Sequence, residues 1–170
     1  LVRMKEYKDM VLALHQANIR LVMDVVYNHT SSTDIFDQLV PGYYYRNWTD
    51  GKRSDASACG NEFASDRIMA RQFMLSSLKY WVKEYHVDGF RFDLMAIHDI
   101  ETMNAVRTAL DKVDPSILIY GEGWTGGASP LPDTEKALKK NISQITGIAA
   151  FSDDIRDGIK GFVFNNLDKG

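Results

Sequence analysis

Apolar residues recur at steps of three and four at the start of the chain. Tyr7, Met10, Val11 and Leu14 fall on one side of a helix drawn over residues 5–17. Asn18 follows as a C′ residue, because asparagine tolerates the left-handed conformation. Residues 19–26 are then dense in β-branched side chains and apolar on both faces, which predicts a parallel strand covered on each side. A second helical period spans residues 67–85 through Ile68, Leu75, Leu78, Val82 and Tyr85, with Asp66 as its cap. "HVDGFRFDLM" predicts the next strand. Asp99 caps a third helix whose face is Ile100, Met103, Val106, Leu110 and Val113, stopped before Pro115. "ILIYGEGW" predicts a third strand, and a shorter helix begins near Asp133.

Strands that alternate with helices imply βαβ units and a parallel sheet, hence an α/β fold. Alternation alone does not separate an open doubly wound sheet from a closed barrel. Residues 30–65 break the pattern. They hold "PGYYYRNWTDGKRSDASACGNEF", with no usable period. Loops of this length are uncommon in compact domains, and the aromatic content argues for order at a binding surface.

Composition narrows the function classes. The 170 residues are 45% hydrophobic and 25% charged, which is ordinary for one globular domain. A net charge of −3 and a pI near 5.8 supply no general attraction to nucleic acid or anionic membranes. No apolar run approaches the roughly 20 residues that span a bilayer. Cys59 is the sole cysteine, so neither an internal disulfide nor a cysteine-based zinc site can form. The chain opens inside a helical pattern without an initiator methionine and closes in "FVFNNLDKG", an apolar segment with no evident partner. It reads as an excerpt of a longer polypeptide, so localisation is not legible.

Chemistry gathers at the strand exits. All C-terminal ends of a parallel sheet lie on one side, and in barrels catalysis is built there. "LVMDVVYNHT" places Asp24 within the first strand and Tyr27, Asn28 and His29 at its end. "GFRFD" ends in Arg91 and Asp93, and "YGEGW" in Glu122 and Trp124. Side chains two apart share a face, so Arg91 lies with Asp93, while Phe90 and Phe92 take the other face. Charges are costly to bury unpaired, so Asp93 and Glu122 are either structural ion pairs or reaction groups. An arginine keeps a neighbouring carboxylate ionised and oriented, as a nucleophile requires. The glycines flanking Glu122 allow backbone to approach a ligand closely, and a glutamate in a partly apolar pocket can hold a proton near neutrality. One ionised and one protonated carboxylate on neighbouring strands is the apparatus of glycoside hydrolysis. Tyr43, Tyr44, Tyr45 and Trp48 fit either a sugar-stacking platform or the insertion's own small core.

"DVVYNH", "GFRFD" and "YGEGW" resemble, in order, the first three conserved regions of the α-amylase superfamily of glycoside hydrolases, family 13. "MDVVYNHT", "GFRFDLMAIHD" and "ACGNEFASDR" most resemble type I pullulanases, the α-1,6 debranching branch, as does Met95. The resemblance implies a partial (β/α)8 TIM barrel, about strands three to five with flanking helices. Residues 1–170 would form part of the catalytic barrel, with 30–65 as a domain-B-like insertion after the fragment's first strand. It implies Asp93 as nucleophile, Glu122 as acid/base, Arg91 as the orienting arginine and His29 as a sugar contact. Tyr27, Trp124 and His98 join them as substrate-binding candidates, and Asp24 and Asn28 as the structural pair, the buried aspartate bracing the strand exit. The implied reaction is retaining hydrolysis of α-1,6-glucosidic bonds in pullulan, glycogen or starch dextrins.

Two parts of the family pattern have no counterpart here. One is the fourth region, whose His-Asp pair supplies a third carboxylate; Asp153, Asp154 and Asp157 come too soon after Glu122 and lack the histidine. The other is the "YNWDP"-type segment, expected upstream. The fragment alone is therefore expected to be inactive and to depend on the rest of its parent chain. No cofactor is required; calcium held by oxygens such as those of Asn28 or Asp55 stays open, with no site located. Isoamylase, branching enzyme or α-amylase activity, a non-catalytic glycan-binding barrel, and a metal enzyme using Asp24, Asp93 and Glu122 as ligands are the rival readings. His15 and His86, near helix ends, are expected to be solvated.

Overall fold

The computed structural model describes residues 1–163 and 165. Four parallel strands make one sheet in the order β1 (Val22–Val25), β2 (Gly89–Phe92), β3 (Leu118–Gly121) and β4 (Ala149–Ala150). Helix α1 (Val2–Gln16) precedes β1, α3 (Ile68–Tyr85) links β1 to β2, and α4 (Ile100–Asp111) links β2 to β3. A one-turn helix α2 (Asp34–Asp37) lies inside the long insertion, and α5 (Asp153–Lys160) follows β4. Among the described residues, no helix is long and apolar enough to cross a membrane.

Register decides which residues meet. Met23, Phe90 and Ile119 form one row across β1, β2 and β3, and Val25, Phe92 and Gly121 form the next row on that face. Phe90, Phe92 and Ile119 are essentially inaccessible beneath the helices, with Met74, Leu78, Met103, Val106 and Leu110 above them. Burying such side chains is worth about 1.5–3 kcal/mol each. Asp24, Arg91 and Tyr120 form the row on the opposite face. Gly121 makes this spacing possible: a Cβ there would stand 2.7 Å from the Phe92 carbonyl oxygen and 2.9 Å from Met95 Cβ.

Several expectations change. The first strand is not covered on both sides. It is the sheet's edge among the described residues, Ile19 and Val26 are half-exposed, and the Asp24 side chain is 64% exposed. Helix α1 buries only Val11, with Met10 left exposed, and α3 presents Ala70 and Met74 to the core while Ile68 points outward. Asp66 does not cap α3, because its carboxylate is taken by Arg46. Asp99 does cap α4, accepting from the Thr102 amide at 2.7 Å. Asn18 takes the left-handed conformation, at φ 56°. No helix begins at Asp133, which instead binds Lys136 and Lys140; a 3-10 turn (Lys139–Gln144) follows. Strand β4 was not anticipated, being two alanines long. His15 is not simply solvated: its Nε2 lies 2.8 Å from Asp88. Most of "FVFNNLDKG" lies outside the described residues.

The insertion builds its own core. Phe36 stacks on Tyr44 at 4.6 Å, Phe63 packs among Tyr44, Tyr45 and Phe73, and Tyr45 is fully buried. Of Tyr43, Tyr44, Tyr45 and Trp48, only Trp48 is substantially exposed.

Candidate active site

Arg91 is the centre of the polar face. Its Nη1 donates to Asp24 Oδ1 at 2.9 Å and to Asp93 Oδ1 at 3.1 Å, while Nη2 donates to Glu122 Oε1 at 2.6 Å. This follows from the register: Asp24 and Arg91 are paired, and Asp93 and Glu122 sit one residue beyond the paired Phe92 and Gly121. Burial alone would lower the Arg91 pKa, but the carboxylates around it raise it above the usual guanidinium range. The guanidinium carbon also lies 5.8 Å from the Phe151 ring, which meets Tyr120 edge-on.

Each acid has a second support. The Asn28 amide donates to Asp93 Oδ2 and to the Asp93 carbonyl, both at 2.9 Å, and the Asp93 amide donates to the Val25 carbonyl. Asn28 is fully buried, and its Oδ1 lies 2.5 Å from His29 Nδ1. Glu122 accepts from the Leu94 amide through Oε2 at 2.9 Å. Leu94 stands at φ 40°, ψ 51°, a left-handed conformation that costs a leucine about 1–2 kcal/mol. Such strain persists only where the surroundings over-determine it.

Trp124 and Glu122 line a cavity of about 570 Å³ together with Leu94, Asp153, Asp157 and Phe162. His29 lines a separate apolar recess with Tyr27, Phe36, Phe63 and Phe73.

Four expectations about this region are corrected. The Tyr27 hydroxyl bonds to Ser77 on α3 at 2.7 Å and its ring packs on Phe92 and Phe73, so it serves the helix side of the sheet. His98 is fully buried behind Phe92, edge-on at 5.9 Å, where a ligand has no access. Burial, with Arg46 nearby, pushes its pKa down to about 3. The glycines around Glu122 admit protein rather than ligand. A Cβ on Gly123 would stand 2.7 Å from the Lys139 amide nitrogen, just as Gly121 faces the Phe92 carbonyl. Glu122 is also less apolar in setting than expected, since both its oxygens hold donors.

Asp24, Asp93 and Glu122 do converge, but on a guanidinium that already supplies the cation, which disfavours the three as metal ligands. Asp55 accepts from the Cys59 and Gly60 amides within the insertion. Phe151 and Leu94 were missed in the sequence. Phe151 had only its apolar neighbours as a signal, and nothing in a leucine marks a left-handed position.

Comparison with known proteins bears on what this arrangement is for. No family model matches the chain. The pullulanase of Bacillus subtilis (strain 168) is 42% identical over 165 residues, which are 96% of this chain and 23% of that protein. The chain is homologous to a segment of the pullulanases. Crystal structures agree over 99% of this chain. The pullulanase of Paenibacillus barengoltzii, in complex with maltohexaose and α-cyclodextrin, superposes with a TM-score of 0.95 at 46% identity. It is matched over 99% of this chain and 26% of its own. Pullulanase from Anoxybacillus sp. LM18-11, complexed with maltotriose, gives a TM-score of 0.96 at 46% identity, over 99% of this chain and 24% of its own. The chain thus spans between 12% and 26% of the length of the pullulanases it matches.

Proposed function

We propose that this chain is the central part of the catalytic barrel of a pullulanase-like, retaining glycoside hydrolase of the α-amylase superfamily. It cleaves α-1,6-glucosidic bonds in pullulan, glycogen or starch dextrins. The observation that carries the reading is the convergence of Asp93 and Glu122 on the two terminal nitrogens of Arg91. Two carboxyl groups held at adjacent strand exits suit double displacement, for which a separation of about 5–5.5 Å is needed.

Asp93 attacks the anomeric carbon and forms a glycosyl ester as the glycosidic C–O bond breaks. Glu122 gives its proton to the departing oxygen. Glu122, now a carboxylate, then takes a proton from water, whose oxygen attacks the same carbon, and the ester bond to Asp93 breaks. The anomeric configuration is retained. Arg91 and Asn28 hold the Asp93 carboxylate, one from each side. His29 and Trp124 contact the sugar.

The four parallel strands are then consecutive strands of a (β/α)8 barrel, and the face bearing Asp24, Arg91 and Tyr120 is its interior. Residues 30–65 are the domain-B-like insertion. The third carboxylate comes from parts of the parent polypeptide outside these 170 residues, and without it the piece alone does not turn over.

In the parent enzyme, Asp93→Ala is expected to abolish nearly all release of maltotriose units from pullulan. Survival of half the activity would remove Asp93 from the nucleophile's role.

A further inference from the structure

Glu62 is the most enclosed acid of the insertion, with no accessible side-chain surface, and three donors meet it. Arg46 Nη1 donates at 2.6 Å, and the hydroxyls of Ser54 and Ser129 complete the set. Arg46 is nearly as enclosed and uses all three guanidinium nitrogens. Nη1 also donates to the Ile97 carbonyl at 2.8 Å, Nε to Asp66 at 2.8 Å and Nη2 to Ser65 Oγ at 3.3 Å.

These contacts join three separate parts of the chain. Arg46, Ser54 and Glu62 belong to the insertion. Ile97 ends the 3-10 turn (Met95–Ile97) that begins two residues after Asp93. Ser129 lies in the loop after Glu122 and Trp124, and that loop is pinned again where the Gly126 and Gly127 amides both donate to the Ala56 carbonyl. One buried ion pair therefore holds both loops that carry the proposed catalytic acids.

A buried ion pair contributes little net stability over a well-packed apolar filling, whereas its directional bonds fix where its partners sit. What needs fixing here is the left-handed Leu94, whose amide donates to Glu122 and whose predecessor is Asp93. We infer that Arg46 and Glu62 are positioning residues for the reaction. They do not touch substrate, and they act through the Ile97 carbonyl and Ser129 to set the approach of Glu122 to Asp93. The kinetic side of this inference rests on the hydrolase reading.

The test uses Glu62→Gln and the milder Ser129→Ala in the full-length parent enzyme, with Leu110→Ala as a control for plain loss of core stability. Misplacement of about 1 Å costs on the order of a hundredfold in rate, so losing one of several holds is expected to lower kcat on pullulan about tenfold for Glu62→Gln. KM should move less than twofold. Amide exchange at Leu94 should speed up in Glu62→Gln, and at residues 124–127 in Ser129→Ala, while α3 keeps its protection. Leu110→Ala should lower Tm and leave kcat and the Leu94 amide as they were. Unchanged exchange at both places, or variants that behave as Leu110→Ala does, overturns the inference. A wild-type parent that leaves pullulan uncut would defeat the functional reading alone, and exchange at Leu94 would still decide the positioning.

Discussion

Replacing Arg91 with lysine probes the centre of the site with charge held constant. The guanidinium reaches Asp24 and Asp93 through one nitrogen and Glu122 through the other. A lysine ammonium is a single point of charge and cannot occupy both positions, so at least one carboxylate loses its donor. Hydrogen bonds to charged groups contribute about 1.5–3 kcal/mol. If that contribution is expressed in the transition state, each 1.36 kcal/mol is tenfold, so kcat/KM should fall roughly 10- to 150-fold. Stability should change far less. Asp24 is largely exposed and solvent screens the rest of the cluster in part, which keeps the expected loss under about 1 kcal/mol. The assay pairs initial rates on pullulan with thermal unfolding of the parent enzyme. A variant within twofold of wild type would refute the reasoning. So would an activity loss matched by an equal loss of folded protein.

Gly121→Ala should cost about 1–3 kcal/mol and slow turnover, because its Cβ would drive Phe92 and Met95 away from β3. Gly158→Ala in α5, where nothing lies within 4 Å, should leave melting temperature and rate at least unchanged. His98 titrates near 6.5 when unfolded and about 3 when folded. Below pH 6.5 the unfolded chain takes up a proton that the native chain refuses, so the contribution of His98 is whole above pH 6.5 and falls towards pH 3. The unfolding free energy of His98→Leu, from urea titrations, should therefore depend less on pH in that window, by up to about 1.4 kcal/mol per unit. Equal slopes for variant and wild type would contradict a buried neutral imidazole.

The parts legible in the sequence were those set by periodicity. The alternation at Phe90, Arg91, Phe92 and Asp93 already separates a core face from a polar one, and the register across β1, β2 and β3 carries that separation through the sheet. The Asp99 cap was legible because capping is local, with donor and acceptor three residues apart. What stayed hidden depends on distant contacts. Asp66 has the right spacing for a cap, but Arg46, twenty residues earlier, takes its carboxylate. His98 reads as a site residue by its resemblance to pullulanase sequences, yet the fold turns its ring behind Phe92. The Glu62 junction joins residues 46, 54, 62 and 129, and no period links them. Strand β4 was missed because two alanines carry no pattern of their own.

Covalent trapping is the most direct test of the paired acids. The parent enzyme would be incubated with an activated fluoro-α-glucosyl substrate that slows hydrolysis of a glycosyl ester, then digested and mapped by mass spectrometry. The expected result is one sugar adduct, on the carboxylate of Asp93, with its formation slowed in Arg91→Lys. An active enzyme that carries its adduct on another residue, or that inverts the anomeric configuration and forms none, would contradict the account.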